Sequence, residues 1–349
     1  MGSAFQPCLA TTGIGSLPFV DADEAAAFLL DAGLSIPFWP QLPRRSFAEG
    51  MIAQYGSGMP CVRLIPDRGV VCLDTGTRMS ELEEFYGRFF AEDPSLFPMS
   101  SDEAAGLPAF ERLAAGRRQP FVKGQTTGPV TLCTSIFDPD RQPLFSDLDL
   151  RDAAVKTIVR KVQWQIERLK PLAAEGVLVF VDEPVLAAFG SSSYLYLSEA
   201  VVHEMLGEVF AAITGAGAIT GIHVCGNSDW GMVARSGVQV INFDAYQYGP
   251  SIALYPDDLA PFFERGGCIA WGIVPTTSAV NEVTAEGLLL RLQACFEALR
   301  RKGFSSALLR ERAILTPSCG TGTLTPCEAR RVFELLGQVR ELALAAGEV

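Results

Sequence analysis

The chain has 349 residues, of which 48% are apolar and 19% charged, enough apolar matter for a large core. Its net charge of −12 repels phosphate backbones, so nucleic acid is not an expected partner. No apolar run reaches the roughly 18 residues of a membrane span, and residues 1–13 lack the basic-then-apolar order of a secretory signal, so neither membrane nor export is expected.

Short apolar runs alternate with longer amphipathic stretches, the pattern of a parallel α/β sheet. The runs fall at 9–17, 36–42, 119–126, 176–183, 219–225, 238–244, 268–274 and 313–319. Most are apolar on both faces, as strands buried between a core and a helix layer are. Helices are predicted near 21–33, 150–174, 198–214, 228–236, 256–265, 284–302 and 325–345. In the second of these, Ala154, Ile158, Val162, Ile166 and Leu169 recur at helical spacing. Ser198 and Thr284 are placed as N-caps. Eight strands with intervening helices predict an α/β fold of one domain over 1–349, a single (β/α)8 TIM barrel. Segment 43–118 breaks the rhythm and reads as an insertion or subdomain over the barrel mouth, between the second and third runs. It carries a hairpin (62–65 and 70–73 around PDRG) and helices near 78–91 and 102–115.

Nine cysteines, at 8, 61, 72, 133, 225, 268, 295, 319 and 327, are scattered singly without a CxxC pair. An odd, dispersed set argues against a disulfide framework and predicts a reducing, cytoplasmic setting.

Alternation in an extended strand puts His223 and Cys225 of GIHVCG on one face. Imidazole nitrogen and thiolate on one face suit zinc, although a core cysteine beside a bonded histidine has the same pattern. Cys319 ends the eighth run in LTPSCGTG. Asp244 ends the sixth in VINFDAYQYG, where an acid serves as helix cap, loop residue or metal ligand. In a closed barrel the C-terminal ends of all strands meet at one mouth, so His223, Cys225, Asp244 and Cys319 can converge there. Two thiolates and one imidazole favour zinc over magnesium or calcium. Asp182 and Glu183 of VFVDEPVL end the fourth run, where paired acids can do acid–base work or hold an ammonium group. The small residues of GIGSLP (13–18) let a carboxylate approach backbone N–H groups. Lys123 and Thr126 of FVKGQTTGPVT are candidates to face the mouth, and His203 reads as a surface or packing residue.

Taken in order, IGSLP (14–18), TGPVT (127–131), VDEP (181–184), HVC (223–225), VINFD (240–244) and PSCG (317–320) resemble the cobalamin-independent methionine synthase family. Its superfamily also holds uroporphyrinogen decarboxylase and methylcobamide:coenzyme M methyltransferases. The resemblance spans nearly the whole chain. It implies zinc held by His223, Cys225, Asp244 and Cys319, and an amino-acid substrate on Ile14, Gly15 and Ser16 with its amino group on Asp182. It implies transfer of a methyl group to homocysteine or a related small thiol, since metal binding removes a thiol proton. The sequence departs from the family at three points. Aspartate stands at 244 where glutamate is usual. Thr276 and Thr277 stand where a histidine follows the seventh strand. One barrel is present where the longer enzyme has two. Such a site suits a donor that leaves without a proton, a methylcorrinoid, free or on a small carrier protein. The rival readings are a coenzyme M-type methyltransferase and a metal-free enzyme like uroporphyrinogen decarboxylase.

Overall fold

A computed structural model describes residues 5–347. Among them, nine strands form: β1 Ala10–Thr11, β2 Val62–Ile65, β3 Val70–Leu73, β4 Gln119–Thr127, β5 Ala173–Asp182, β6 Ile219–Val224, β7 Val240–Phe243, β8 Cys268–Val274 and β9 Ala313–Pro317. Seven make one curled parallel sheet in the order β1–β9–β8–β7–β6–β5–β4. The hairpin of β2 and β3 pairs separately, Val62 opposite Leu73 and Ile65 opposite Val70.

The expected second strand is absent as a strand, which corrects the eight-strand reading. Pro37 and Pro40 fall in that run and Pro43 follows it directly, and a proline has no N–H to give a ladder. The segment bonds instead at single points on both sheet edges. On the β1 side Ile36 N donates to Thr11 O (2.9 Å) and Gln41 N to Gly15 O (3.0 Å). On the β4 side Lys123 N donates to Pro37 O (2.8 Å), and the Gln125 side chain donates to Trp39 O (3.0 Å). The first run likewise yields only Ala10–Thr11 as regular strand, because its continuation turns at Gly13 and Gly15.

All seven predicted helices are present, the longest at Leu148–Leu169 and Pro326–Ala345. Ser198 and Thr284 cap theirs as expected, accepting from Val201 N and Gly287 N. The 43–118 helices lie at Arg78–Phe89 and Gly106–Ala114, the latter packed on helix Ala22–Asp31. Among the described residues no helix is long and apolar enough to cross a membrane.

The core has two parts. A large apolar layer lies between sheet and helices. A smaller one fills the inside of the curl: Ile14, Leu178, Phe180, Val240, Cys268, Ala270 and Ile314. Each fully buried Leu, Ile, Val or Phe among them contributes about 1.5–3 kcal/mol. Above the inner layer the strand alternation that points Leu178 and Phe180 inward also points Asp182 inward. Register then sets Asp182 beside His223, His223 beside Asn242, and Asn242 beside Ala270. A polar row thus caps an apolar plug at the C-terminal end of the strands.

Candidate metal centre and ligand cavity

His223 sits near the end of β6, and Cys225 follows it just past the strand. Cys319 follows β9, where the chain turns at Gly320. Their ligand atoms all lie within 4.8 Å of one another. Nearly 100 residues of chain separate Cys225 from Cys319, and sheet closure alone brings them together.

The histidine is prepared as a ligand. Its Nδ1 lies 2.5 Å from Asn242 Oδ1. The Asn242 amide is oriented by its own nitrogen, which donates to Ala270 O and Thr316 Oγ1, both at 2.8 Å. The oxygen therefore faces the imidazole, and Nδ1 carries the proton. Nε2 is left buried without a hydrogen-bond partner. An unpartnered buried nitrogen is costly unless something binds it. An outer amide that fixes tautomer and ring direction is the usual support of a metal-ligating histidine.

The two thiols differ. A hydrogen bond from Cys319, then the adjacent His223 imidazole, holds the Cys225 thiol well below the ordinary range. The hydrogen bond to Cys225, then burial, pushes the Cys319 thiol up. One sulfur is thus ready as thiolate. Tetrahedral zinc with bonds of about 2.0–2.3 Å needs donors roughly 3.5 Å apart, a side-chain rotation from the observed spread. The donor set, the orphaned Nε2 and the supporting amide fit zinc.

Asp244 takes another place. It caps the short helix Ala245–Tyr248, accepting from Gln247 N (3.0 Å) and Gln247 Nε2 (2.9 Å), one on each carboxylate oxygen. It is not in the cluster formed by the other three.

A cavity of about 190 Å³ opens beside the trio, lined among others by Ile14, Ser16, Glu49, Met51, Asp182 and His223. Drug-sized ligands occupy roughly 300–1,000 Å³, so this cavity suits something smaller. Asp182 is buried in its wall with Oδ1 unpartnered. Burial raises its pKa, against the lowering effect of His223 and Lys123. Its neighbour Glu183 turns to the other side of the strand, as alternation requires. There it accepts from Val130 N, Thr131 N and Thr131 Oγ1 at 2.6–2.8 Å. The paired acids therefore divide their work, one facing the cavity and one capping helix Pro129–Ser135.

The Ile14–Ser16 turn is one-sided. Ile14 O accepts from Lys123 Nζ (2.5 Å), Gly15 O from Gln41 N (3.0 Å) and Ser16 O from Thr321 N (2.9 Å). Among the described residues none accepts from the N–H groups of Gly15 and Ser16. A turn with its carbonyls tied back and its N–H groups free is an anion-binding concavity. Gly15 is required there, since an added Cβ would meet Gln41 Oε1 at 2.5 Å and Gln125 Cγ at 2.9 Å.

Sequence reasoning missed Glu49, Gln41 and Asn242. Glu49 belongs to the irregular 43–118 segment, where no periodicity points anywhere. Asn242 did leave a signal, a polar residue inside the apolar run VINF. Lys123 is not at the mouth but fully buried below it. Thr126 is buried too, its hydroxyl on Thr127 O. His203 is half-buried on a helix, with Nε2 2.9 Å from Met232 O, a packing role.

No family model matches the sequence, and no curated protein matches it. Among solved structures, a B12-independent methionine synthase from Shewanella sp. W3-18-1, in complex with selenomethionine, matches with a TM-score of 0.58 at 15% identity. The match covers 97% of this chain and 98% of that one. The two chains share a fold. The likeness runs through nearly the whole of both, so it is not a likeness to one half of a longer protein. An ochratoxinase from A. niger matches at a TM-score of 0.31 and 13% identity, over 73% of this chain and 64% of that one.

Proposed function

We propose that this protein is a zinc-dependent thiol S-methyltransferase, with homocysteine or a closely related amino-acid thiol as acceptor. The observation that carries the reading is the buried, unpartnered Nε2 of His223 beside two cysteine sulfurs, at the wall of a cavity with separate groups for the two ends of an amino acid. On this reading the sheet and the 36–42 segment, bonded to both its edges, form a single (β/α)8 barrel, and segment 43–118 is an insertion that walls its mouth.

His223, Cys225 and Cys319 would hold the metal and leave a fourth position toward the cavity. Zinc there would supply a Lewis acid at which an acceptor thiol gives up its proton at neutral pH. The chain's own groups do the rest. Asp182, with an unpartnered oxygen, faces the cavity as the group for an ammonium, with Glu49 beside it in the lining, and the Gly15 and Ser16 N–H groups meet a carboxylate. Together they fix the acceptor so that its sulfur faces outward past Cys319. Alignment of sulfur, methyl carbon and leaving group is the main contribution a protein makes to such a transfer.

The donor is proposed to be a methylcorrinoid, free or on a small carrier protein. The sulfur lone pair forms the S–CH3 bond, and the carbon–cobalt bond breaks with its electron pair on cobalt. The thiol proton goes to solvent, and the leaving group needs none. This suits a site in which Thr276, in the place a proton donor would take, is hydrogen-bonded to Ser318. An outer hollow of about 650 Å³ shares Ser16, Pro43, Cys319 and Gly320 with the inner cavity and gives a large donor an approach.

The rivals fare worse on charge. A polycarboxylate to be decarboxylated needs basic groups, and a sulfonate thiol such as coenzyme M needs no ammonium site. The inner cavity carries two acids and neither lysine nor arginine. The test is to purify the protein without chelator, measure zinc, and incubate it with methylcobalamin and homocysteine. Methionine should form, and chelation should abolish it. Zinc-loaded protein that methylates neither homocysteine nor coenzyme M would overturn the proposal.

A further inference from the structure

Lys123 is fully buried in β4, below the mouth. Its Nζ donates to Ile14 O (2.5 Å), Gln125 Oε1 (3.1 Å) and, more weakly, Gly124 O (3.4 Å). The rings of Phe38 and Phe180 lie 5.3 and 4.8 Å from Nζ, close enough for cation–π attraction. Every partner is an acceptor or an electron-rich ring, a shell that suits an ammonium with three donors and no lone pair. Burial works against the charge and Asp182 supports it, yet no carboxylate bonds it directly. A buried cation without a bonded counter-ion is expensive, and a methionine would fill the space. Packing alone does not account for the lysine.

Its first partner explains it. The carbonyl of Ile14 and the N–H of Gly15 belong to one planar peptide unit, and none of the described peptide bonds is cis. Across a trans unit the two groups point in opposite directions. The ammonium on the carbonyl thus fixes where the Gly15 N–H points and, by polarising the unit, strengthens it as a donor. Gln125 braces both parts. Its Oε1 accepts from Lys123, its Nε2 is anchored on Trp39 O, and its Cγ packs on Gly15.

We propose that Lys123 is a positioning residue for the carboxylate of the acceptor, acting through the Ile14–Gly15 peptide. The inference rests on the amino-acid thiol reading above and deepens it. The cation is spaced from the ligand by one peptide unit. It lends positive potential to the turn without forming an ion pair with the acceptor.

The sequence contains one isoleucine followed by glycine, Ile14–Gly15. Labelling isoleucine carbonyls with carbon-13 and glycine nitrogens with nitrogen-15 therefore isolates the Gly15 amide as one NMR signal. L-methionine should move that amide proton downfield in the zinc-loaded wild type, and the decarboxylated analogue of methionine should not. In Lys123→Met, calorimetry should show methionine binding weakened roughly ten- to a hundredfold, as for one lost charge-assisted contact, with the decarboxylated analogue and zinc content unchanged. Equal loss of both ligands, or unchanged methionine binding, would overturn the proposal. If Lys123→Met does not fold, the wild-type signal decides, and an unmoved Gly15 amide sinks the idea. Methionine that binds and moves Gly15 in a protein that transfers no methyl group would instead remove the proposed reaction and leave the role of Lys123 standing.

Discussion

The oxygen of the Asn242 side chain lies 2.5 Å from Nδ1 of His223, and that contact decides which imidazole nitrogen is free. Replacing Asn242 by leucine removes the acceptor while keeping the volume. Outer-layer partners of ligating histidines typically contribute 10–100-fold in metal affinity. Asn242→Leu should therefore lose zinc to a chelator at 10–100-fold lower concentration, whereas Asn242→Asp keeps an acceptor and should lose less. Wild-type retention in Asn242→Leu would show that the tautomer is set by something else.

Asp182 faces the cavity with one oxygen unpartnered. Asp182→Asn keeps the shape and removes the charge. Methionine affinity should fall roughly ten- to a hundredfold, while desamino-methionine, which has no ammonium group, should bind as to wild type. Equal effects on both ligands would make Asp182 a packing residue.

Asp244 distinguishes a capping role from a metal-ligating one. As the cap of helix Ala245–Tyr248 it contributes about 1 kcal/mol. Asp244→Ala should lower stability by about that amount in a urea titration and leave zinc near stoichiometric, held by His223, Cys225 and Cys319. Zinc-free Asp244→Ala protein would give Asp244 a ligand's part.

Burial raises the Glu49 carboxyl to about 7, against lowering contacts from Leu42 N and Arg45. A carboxyl that holds its proton more tightly when folded stabilises the fold at low pH. That contribution is complete below the unfolded value of 4.5 and is lost as pH rises toward 7. Glu183, raised in the same direction chiefly by burial, adds to the slope. The urea midpoint of the zinc-loaded protein should thus carry a term that declines from pH 5 to pH 7, and Glu49→Gln should make the change shallower. An unaltered pH dependence would mean that Glu49 ionises normally.

Much of the architecture was legible because period and composition are local properties. Seven helices and most of the strands follow from where apolar residues recur, and Ser198 and Thr284 cap where expected. The 36–42 run was misread because its apolar side chains are those of a strand while its prolines cannot supply the ladder. The likeness in fold to a B12-independent methionine synthase agrees with the α/β fold expected from the sequence.

The sequence by itself determined that His223 and Cys225 share a face, that small residues form the turn at 13–18, and that Thr276 and Thr277 rather than a histidine follow the seventh run. These follow from neighbours in the chain. Only the tertiary structure decided that Cys319 joins them, that Asp244 caps a helix, that Asp182 and Glu183 part company, that Glu49 lines the cavity and that Lys123 bonds the Ile14 carbonyl. Those relations depend on how the strands shear past one another and on which buried polar atom finds a partner. Residues far apart in the chain satisfy one another there, and no local pattern records the pairing.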